Sequence, residues 1–499
     1  MLAAAAAALA LIAGCGTTVQ IPPASPGGAE SLSLSATSPS SPDAAGTHPA
    51  SGNGAGATGV PGATVTASNP RGSTGPSRPV VARTASSSSR HGKSPAPTEV
   101  TGPLTIGFAY PNNAAANASL GLSTSASADP KSVMGALVAA VNKAGGLAGR
   151  KVTVDYYATS STTSDYSTAA QAACAHFTED QHVPVVLDLA YGNKFGMATC
   201  LARHGVADFG LATSDTVDDN NAGLFASPMG MSSTRRYPAV LDVLRTTGYL
   251  TPKNRIGVLL ENCPDLRRAY DQAVRPEISR LGLDLADTAQ IGCTSGFASA
   301  GPASAATQSA VLRFRSHQVD RVLIVSDFEQ VALMLFANAA ASQGWRPGYM
   351  LSSAAETEVM RSSISKTQWP QLHGVGWSPR LDIDDAHQPL TPADRRCLTL
   401  IKKGGIAVTG WQNTYIATME CSDLFFLEAA LTSSHGDAQG SALMAAVESL
   451  GASFVSPGVL GGRTFFGPSQ REGAAEVAPF GYVAGCRCLR YTGRPVATR

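Results

Sequence analysis

Short apolar strands alternate with amphipathic helices along most of the chain, and this alternation constrains the fold more than any other feature. The first unit shows it: the strand "LTIGFAY" precedes a helix that Asp129 and Pro130 begin, and the strand "VTVDYY" follows a glycine-rich turn. Asp suits the N-cap of a helix, and Pro suits its first position. Two strands joined through a helix lie parallel, with a right-handed crossover. The folded part of the chain is therefore predicted to begin with a βαβ unit.

The glycine-rich turn of this unit reads "KAGGLAG". Gly145 and Gly146 can adopt positive φ and end the helix, and Leu147 can fold back onto its last turn. The turn is predicted at the N-terminal edge of the sheet, whereas open α/β sheets bind ligands beyond the carboxyl ends of their strands. We therefore expect the turn to serve the fold and not a ligand.

The alternation continues and then restarts. Apolar strands at 183–189 and 206–212 complete a first run, and "NRIGVLLE" at 254–261 opens a second run that continues to about residue 379. Two consecutive βα runs of similar size indicate an α/β protein with two doubly wound parallel-sheet lobes.

The first hundred residues have a different composition. Residues 1–15, "MLAAAAAALALIAGC", form an apolar run that is too short to span a bilayer and is typical of an export signal peptide. The run ends at Cys15 in a sequence that resembles a bacterial lipobox, whose cysteine is lipidated; no Lys or Arg precedes it, and an export signal with an incidental cysteine is the alternative. Residues 16–101 are rich in Ser, Thr, Pro, Ala and Gly, which predicts a disordered tether.

Charge and motifs exclude several functions. The formal net charge is +1 with no basic stripe, which argues against a nucleic-acid partner. No phosphate loop, zinc-protease helix, nucleophile elbow or dinucleotide fingerprint follows a predicted strand. The nine histidines are scattered, and the pair Cys486 and Cys488 has no His or Cys neighbour in sequence to complete a zinc site. We therefore predict that the protein is not an enzyme and holds no cofactor or metal.

Three stretches resemble the type I periplasmic binding proteins of the branched-chain amino-acid class. Residues 141–157, "VNKAGGLAGRKVTVDYY", resemble the signature after the family's first helix, and residues 319–347 resemble a stretch that ends in Gln-Gly-Trp-x-Pro. Residues 454–483 resemble the C-terminal hairpin region. The similarity runs in order through nearly all of 102–491.

This resemblance implies two lobes joined by a hinge of three strands, with a ligand in the cleft between them. The folded domain would span 102–499, with lobe one at about 102–228 and 380–452 and lobe two at about 229–379 and 453–491. The implied function is that of an extracytoplasmic lipoprotein, a monomer on the outer face of the bacterial cytoplasmic membrane. It would capture an amino acid or similar small carboxylate for the permease of an ABC importer. The alternative is a tethered receptor that signals to a partner.

The resemblance also implies where a ligand carboxylate would be held on lobe one. Backbone N–H and hydroxyl groups of the loops after strands 183–189 and 206–212 hold it in the family. The residues that match by position are Tyr191, Ala212, Thr213 and Ser214. A turn-capping role for the two hydroxyl residues is the alternative.

On lobe two, the resemblance implies an acidic residue for a ligand ammonium. Glu356 and Asp327 are the two candidates, and Trp377 is a candidate for lining the cleft. The alternatives are that Glu356 begins a surface helix and that Trp377 fills the core. Many relatives carry Tyr-Gly after the first strand of this lobe, where this chain has "ENCP" from Glu261. This departure argues against a standard Leu, Ile or Val ligand.

Eight of the nine cysteines follow Cys15, and an even number in an exported chain favours disulfides. Relatives often carry a bridge at the place of Cys174 and Cys200. The remaining predicted pairs are Cys263 with Cys293, Cys397 with Cys421, and Cys486 with Cys488. The i, i+2 spacing makes the last pair the weakest prediction.

Overall fold

The computed structural model describes residues 101–112, 129–160, 162–192, 194–210, 223–296, 299–388, 390–408 and 411–498. The predicted signal peptide with Cys15, nearly all of the predicted tether, and the predicted contacts Ala212, Thr213 and Ser214 lie outside the described residues.

The first sheet has five parallel strands in the order β2-β1-β3-β4-β5. Its strands are β1 Leu104–Asn112, β2 Val152–Ser160, β3 Val185–Asp188, β4 Ala207–Gly210 and β5 Phe225–Ala226. The helices between them are α1 Pro130–Lys143, α2 Tyr166–Ala175 and α3 Met197–Arg203.

The second sheet has eight strands, in the order β12-β11-β10-β9-β8-β6-β7 with β13 paired to β11. Strands β6 to β10 run parallel, and β11 is antiparallel to its neighbours. The strands are β6 Arg255–Glu261, β7 Asp284–Ile291, β8 Arg321–Val325, β9 Gly348–Ser352, β10 His373–Gly376, β11 Glu476–Val483, β12 Cys488–Tyr491 and β13 Val496–Ala497.

The remaining helices follow in chain order. They are α4 Ser233–Thr246, α5 Pro264–Ala269, α6 Arg275–Arg280, α7 Ala300–Ser316, α8 Glu329–Ser342, α9 Thr357–Met360, α10 Pro379–Asp382, α11 Pro392–Lys403, α12 Trp411–Ser433 and α13 Gly440–Ser449. The π-helical turns are His176–Asp180 and Tyr270–Val274, and the 3₁₀ turns are Ser353–Ala355, Arg361–Ser363, Lys366–Gln371, Asp385–His387 and Leu460–Gly462. Among the described helices, none is both long and apolar enough to span a membrane.

Each sheet is covered by helices on both faces. Helices α1 and α11 to α13 pack on one face of the first sheet, where Phe108, Phe209 and Phe426 are fully buried, and α2 and α3 cover the other face. Helices α7 and α8 cover one face of the second sheet, and α4 to α6 cover the other. We call the first sheet with α1–α3 and α11–α13 the first lobe, and the second sheet with α4–α10 the second lobe. This is a doubly wound α/β architecture with two sheets.

Three segments connect the lobes and lie against one another. Residues 227–230 run beside residues 471–474, with the N–H of Ser227 donating to the carbonyl of Arg471 at 2.9 Å. The third segment leaves β10 at Trp377, whose indole Nε1 donates to the carbonyl of Met229 at 3.0 Å. Phe454 and Phe466, beyond the predicted lobe boundary at residue 452, pack in the core of the first lobe. The last crossing therefore follows residue 466.

The glycine-rich turn has the structure that the sequence predicts. Gly146 has a φ of 95°, and a Cβ there would overlap the carbonyl of Arg150. Leu147 is fully buried in the core of the first lobe. Asp129 caps α1 by accepting the N–H of Ser132 at 3.2 Å. The turn stabilises the junction between α1 and β2.

All four predicted disulfides form. They join Cys174 with Cys200, Cys263 with Cys293, Cys397 with Cys421, and Cys486 with Cys488. The first three close loops with sequence separations of 26, 30 and 24 residues, and the fourth has a separation of only 2.

Candidate functional site

A cavity of about 90 Å³ lies between the two lobes, beside the three connecting segments. Three of its residues follow the carboxyl ends of neighbouring strands: Asp327 follows β8, Glu356 follows β9, and Trp377 follows β10. The first lobe contributes Lys194 and Tyr415. We call this space the inner cavity. Its place, beyond the carboxyl ends of parallel strands, is where open α/β sheets bind ligands.

Glu356 is a buried carboxyl group in the wall of the inner cavity. Its exposed fraction is 3%, and its Oε2 has no hydrogen-bond partner. Burial raises the pKa of Glu356 above its usual range. Its φ of 46° is uncommon for a residue other than glycine and marks a strained position. The interpretation of Glu356 as an acid on a surface helix is therefore wrong, because the side chain is inside the cleft.

Arg236 provides a positive charge beside the same cavity. It lies in the first turn of α4, is 6% exposed, and donates from Nη2 to the Tyr237 hydroxyl at 2.9 Å and the Ser326 carbonyl at 3.2 Å. Its Nε has no hydrogen-bond partner. The inner cavity is thus lined by a carboxylate and a guanidinium that each keep one unpartnered atom.

An ion pair crosses the cleft at the edge of the inner cavity. The Nζ of Lys194, in the loop after β3, lies 2.7 Å from Oδ1 of Asp327, and the two side chains are 6% and 9% exposed. Glu261, at the end of β6, stabilises the turn after β8. Its Oε2 accepts the N–H of Asp327 at 2.9 Å and the hydroxyl of Ser326 at 2.7 Å. Asp327 is therefore already paired with a cation from the first lobe.

The lobes also contact each other at the rim of the cleft. The N–H of Tyr166 in the first lobe donates to the carbonyl of Ser295 in the second at 3.0 Å. Gly296 approaches Ser164 so closely that a Cβ at residue 296 would overlap the Ser164 carbonyl. The rings of Tyr166 and Phe328 lie 6.4 Å apart. These contacts describe a closed cleft.

A larger groove of about 860 Å³ lies outside the ion pair. It shares Lys194 and Asp327 with the inner cavity and is also lined by Arg203 and Arg268. We call it the outer groove. The ion pair therefore lies between the inner cavity and the outer groove.

Tyr191 does not line the inner cavity, and its N–H is already bonded. The carboxylate of Asp188, at the end of β3, accepts the N–H groups of Ala190 at 2.7 Å, Tyr191 at 2.9 Å and Gly192 at 2.5 Å. Burial raises the pKa of Asp188 to about 6, against the lowering effect of these three bonds. In this structure the loop after β3 thus binds a carboxylate of the protein itself.

Sequence reasoning missed Lys194, Arg236 and Tyr415. Lys194 follows Tyr191 by three residues in the loop that the sequence singled out, so its position was the available signal. Arg236 and Tyr415 lie on helices whose orientation toward the cleft is a tertiary feature. Burial, together with the nearby Glu356 carboxylate, raises the pKa of Tyr415 and keeps its hydroxyl neutral.

Among the residues that the structure describes, two groups of side chains have spacings that could suit a metal ion. One contains Glu261, Cys263 and Cys293, and the other contains Cys263, Asp265 and Asp327. Both include Cys263, whose sulfur is bonded to Cys293 and is therefore not a thiolate ligand. We assign no metal to either group.

No protein-family model matches the chain, and no curated protein matches it in sequence. Solved structures do match. A solute-binding protein of an ABC transporter from Rhodopseudomonas palustris, in complex with 4-hydroxybenzoate, is 11% identical with a TM-score of 0.59, over 80% of this chain and 98% of that chain. A branched-chain amino-acid ABC transporter protein from Thermus thermophilus with bound valine is 13% identical with a TM-score of 0.56, over 80% and 97%.

A leucine-binding protein from Thermotoga maritima is also similar, with 11% identity and a TM-score of 0.55, over 79% of this chain and 99% of that chain. Each match covers nearly the whole of the relative at very low identity, which establishes the fold. The chain therefore has the type I periplasmic-binding-protein fold, which it shares with these solute-binding proteins.

Proposed function

We propose that this protein is the solute-binding component of an ABC importer and closes its lobes on a small zwitterion such as an amino acid. One observation supports the assignment of a zwitterionic ligand. The inner cavity is lined by Glu356, whose Oε2 has no partner, and by Arg236, whose Nε has none. Burial disfavours a carboxylate without a partner, so the free Oε2 of Glu356 favours a ligand cation that would stabilise the charged form. Arg236 already donates to Tyr237 and Ser326, and its remaining Nε–H favours an acceptor such as a ligand carboxylate.

The cavity also limits ligand size. Its volume is about 90 Å³, which admits only a small ligand. A small amino acid fits this space in the closed cleft, and a larger one needs the lobes to part or its side chain to reach the outer groove. A ligand that reaches the outer groove has to displace the ion pair of Lys194 and Asp327, which lies between the two spaces.

Closure couples the two lobes to the ligand. Hinge closure around a ligand requires that the ligand bind the closed state more tightly than the open state. Arg236 and Glu356 lie on the second lobe, and Lys194 and Tyr415 on the first. A ligand that bridges the two sets contacts both lobes only when the cleft is shut.

The setting we propose is extracytoplasmic. Four disulfides fit an oxidising compartment. We propose that Cys15 is lipidated and that residues 16–101 tether the folded unit to the outer face of the membrane, where it meets a permease. Replacing Cys15 with Ala should then release the protein from the membrane fraction, and continued membrane attachment would exclude this anchor.

The function is tested by a thermal-shift screen of the whole chain against the amino acids. A ligand at a hundred times its dissociation constant adds about 2.7 kcal/mol to the free energy of unfolding. The best amino acid is then compared with the amine that lacks its carboxylate and the acid that lacks its amino group. We expect both analogues to bind weakly. A shift with a sugar or polyamine and with no amino acid would contradict the zwitterion assignment.

The site is tested by replacing Glu356 with Gln. The loss of a charge-assisted bond worth about 1.5–3 kcal/mol should weaken binding about 10- to 150-fold. The matched control is the same change at Glu179, which is exposed. Equal affinity in the two variants would rule out Glu356 as the ligand's cation partner.

A further inference from the structure

The disulfide between Cys486 and Cys488 differs from the other three in its position and size. It closes the turn of the hairpin formed by β11 and β12, in which Val483 pairs with Cys488. Only Arg487 separates the two cysteines. The stabilisation that a disulfide gives by restricting the unfolded chain grows with the number of enclosed residues. This bridge therefore stabilises the fold least of the four.

The backbone inside this small ring is strained. Arg487 has a φ of 53°, in the left-handed region that residues other than glycine rarely adopt. Its carbonyl accepts a bond from Nη1 of Arg361 at 3.0 Å, which ties the turn to the body of the second lobe. Because reduction opens the ring, it lets Arg487 leave this conformation.

The two sulfur atoms also differ in access. Cys486 is exposed, whereas Cys488 is 3% exposed and belongs to β12. Arg487 and Arg490 are exposed on the same hairpin, and positive charge favours a thiolate. By contrast, Cys397 and Cys421 are both fully buried.

We propose that the pair Cys486 and Cys488 is a thiol–disulfide exchange site that an external dithiol reduces while the fold stays intact. A thiolate of the dithiol attacks Sγ of Cys486, the bond between Cys486 and Cys488 breaks, and Cys488 leaves as a thiolate. The second thiol of the dithiol then attacks the other dithiol sulfur, which is bonded to Cys486 in the mixed disulfide. This step releases Cys486 as a thiolate and closes the disulfide of the oxidised dithiol. Two electrons and two protons pass to the cysteines, and the dithiol becomes a disulfide. Exposed or strained disulfides are the labile ones.

The experiment is a titration of the folded protein with dithiothreitol, followed by alkylation and peptide mass spectrometry. We expect alkylation at Cys486 and Cys488 at a dithiothreitol concentration about tenfold or more below the one that opens Cys397–Cys421. The melting temperature at that lower concentration should match that of the untreated protein. Opening of both bridges at the same concentration, or unfolding together with the first alkylation, would overturn the proposal.

Variants of Arg487 test the source of the lability. Glycine adopts positive φ without strain, so Arg487→Gly should raise the dithiothreitol concentration needed for reduction by about tenfold. Arg487→Lys keeps the charge and the strained backbone and should behave like the parent. Arg487→Gln removes the charge and keeps the strained backbone, so it should be reduced at a lower dithiothreitol concentration than the glycine variant. With glutathione, a monothiol, the adduct should form on Cys486. An adduct on Cys488 alone, or equal behaviour of the glycine and lysine variants, would contradict the mechanism.

Discussion

Replacing Lys194 with Met is expected to weaken ligand binding by destabilising the closed cleft. The ammonium of Lys194 lies 2.7 Å from the carboxylate of Asp327, and the side chains are 6% and 9% exposed. Removing one partner of a buried ion pair costs about 3–5 kcal/mol, because the other charge is left buried alone. At about 1.4 kcal/mol per tenfold change, the equilibrium constant for closure falls by roughly two to four powers of ten. The dissociation constant of the ligand should rise by a similar factor.

A second variant separates this effect from a direct contact between Lys194 and the ligand. In the double variant Lys194→Met with Asp327→Leu, an apolar pair replaces the ion pair, an exchange that is often neutral or stabilising. Affinity, measured by calorimetry, should then recover toward that of the parent. The matched control is Lys253→Met, at an exposed lysine. If Lys194→Met binds as tightly as this control, the ion pair does not stabilise closure. If the double variant stays weak, Lys194 or Asp327 contacts the ligand itself.

Three further changes test the rim, a buried bridge and a buried acid. Gly296→Ala should weaken closure, seen as a larger radius of gyration in scattering at saturating ligand, because its Cβ would overlap the carbonyl of Ser164; an unchanged radius would refute the contact. Replacing Cys397 and Cys421 with Ala should lower the free energy of unfolding by about 3–4 kcal/mol, since the bridge has a sequence separation of 24 residues; a loss below 1 kcal/mol in denaturant titration would contradict this. Burial raises the pKa of Asp382 from 3.8 to about 7, so its contribution to stability is complete below about pH 4 and is lost as the pH rises through 7. The melting temperature should accordingly fall less between pH 5 and pH 8 in Asp382→Asn than in the parent, and parallel curves would show that Asp382 does not titrate in this range.

The fold could be predicted from the sequence because its signals are local. The apolar periodicity of each strand and helix and the capping by Asp129 depend on neighbouring residues, and the structure keeps them. Boundaries were less accurate where the backbone departs from helical angles. From the sequence alone, a helix is expected over residues 194–203. In the structure α3 begins at Met197, because Phe195 and Gly196 have φ of 58° and 84°, which a right-handed helix does not allow.

The site was predicted only in part because it depends on contacts between distant segments. Asp327, Glu356 and Trp377 were found from strand ends, and all three line the inner cavity. Lys194 forms an ion pair with Asp327, and Glu356 is left without a hydrogen-bond partner at Oε2. This arrangement depends on how closely the two lobes approach. No spacing within the sequence indicates which of these two acids is paired with Lys194.

The loop after β3 explains why we assign the ligand carboxylate to Arg236. In the family pattern such N–H groups would hold the ligand, but here three of them already bond the fully buried carboxylate of Asp188. A ligand carboxylate at this loop would have to displace Asp188 and leave that group buried without donors. Each hydrogen bond to a charged group contributes about 1.5–3 kcal/mol, so exchanging one carboxylate for another gains nothing and adds a buried charge. Arg236 lines the inner cavity, and its Nε has no hydrogen-bond partner. Its guanidinium can therefore bind the ligand carboxylate without that penalty.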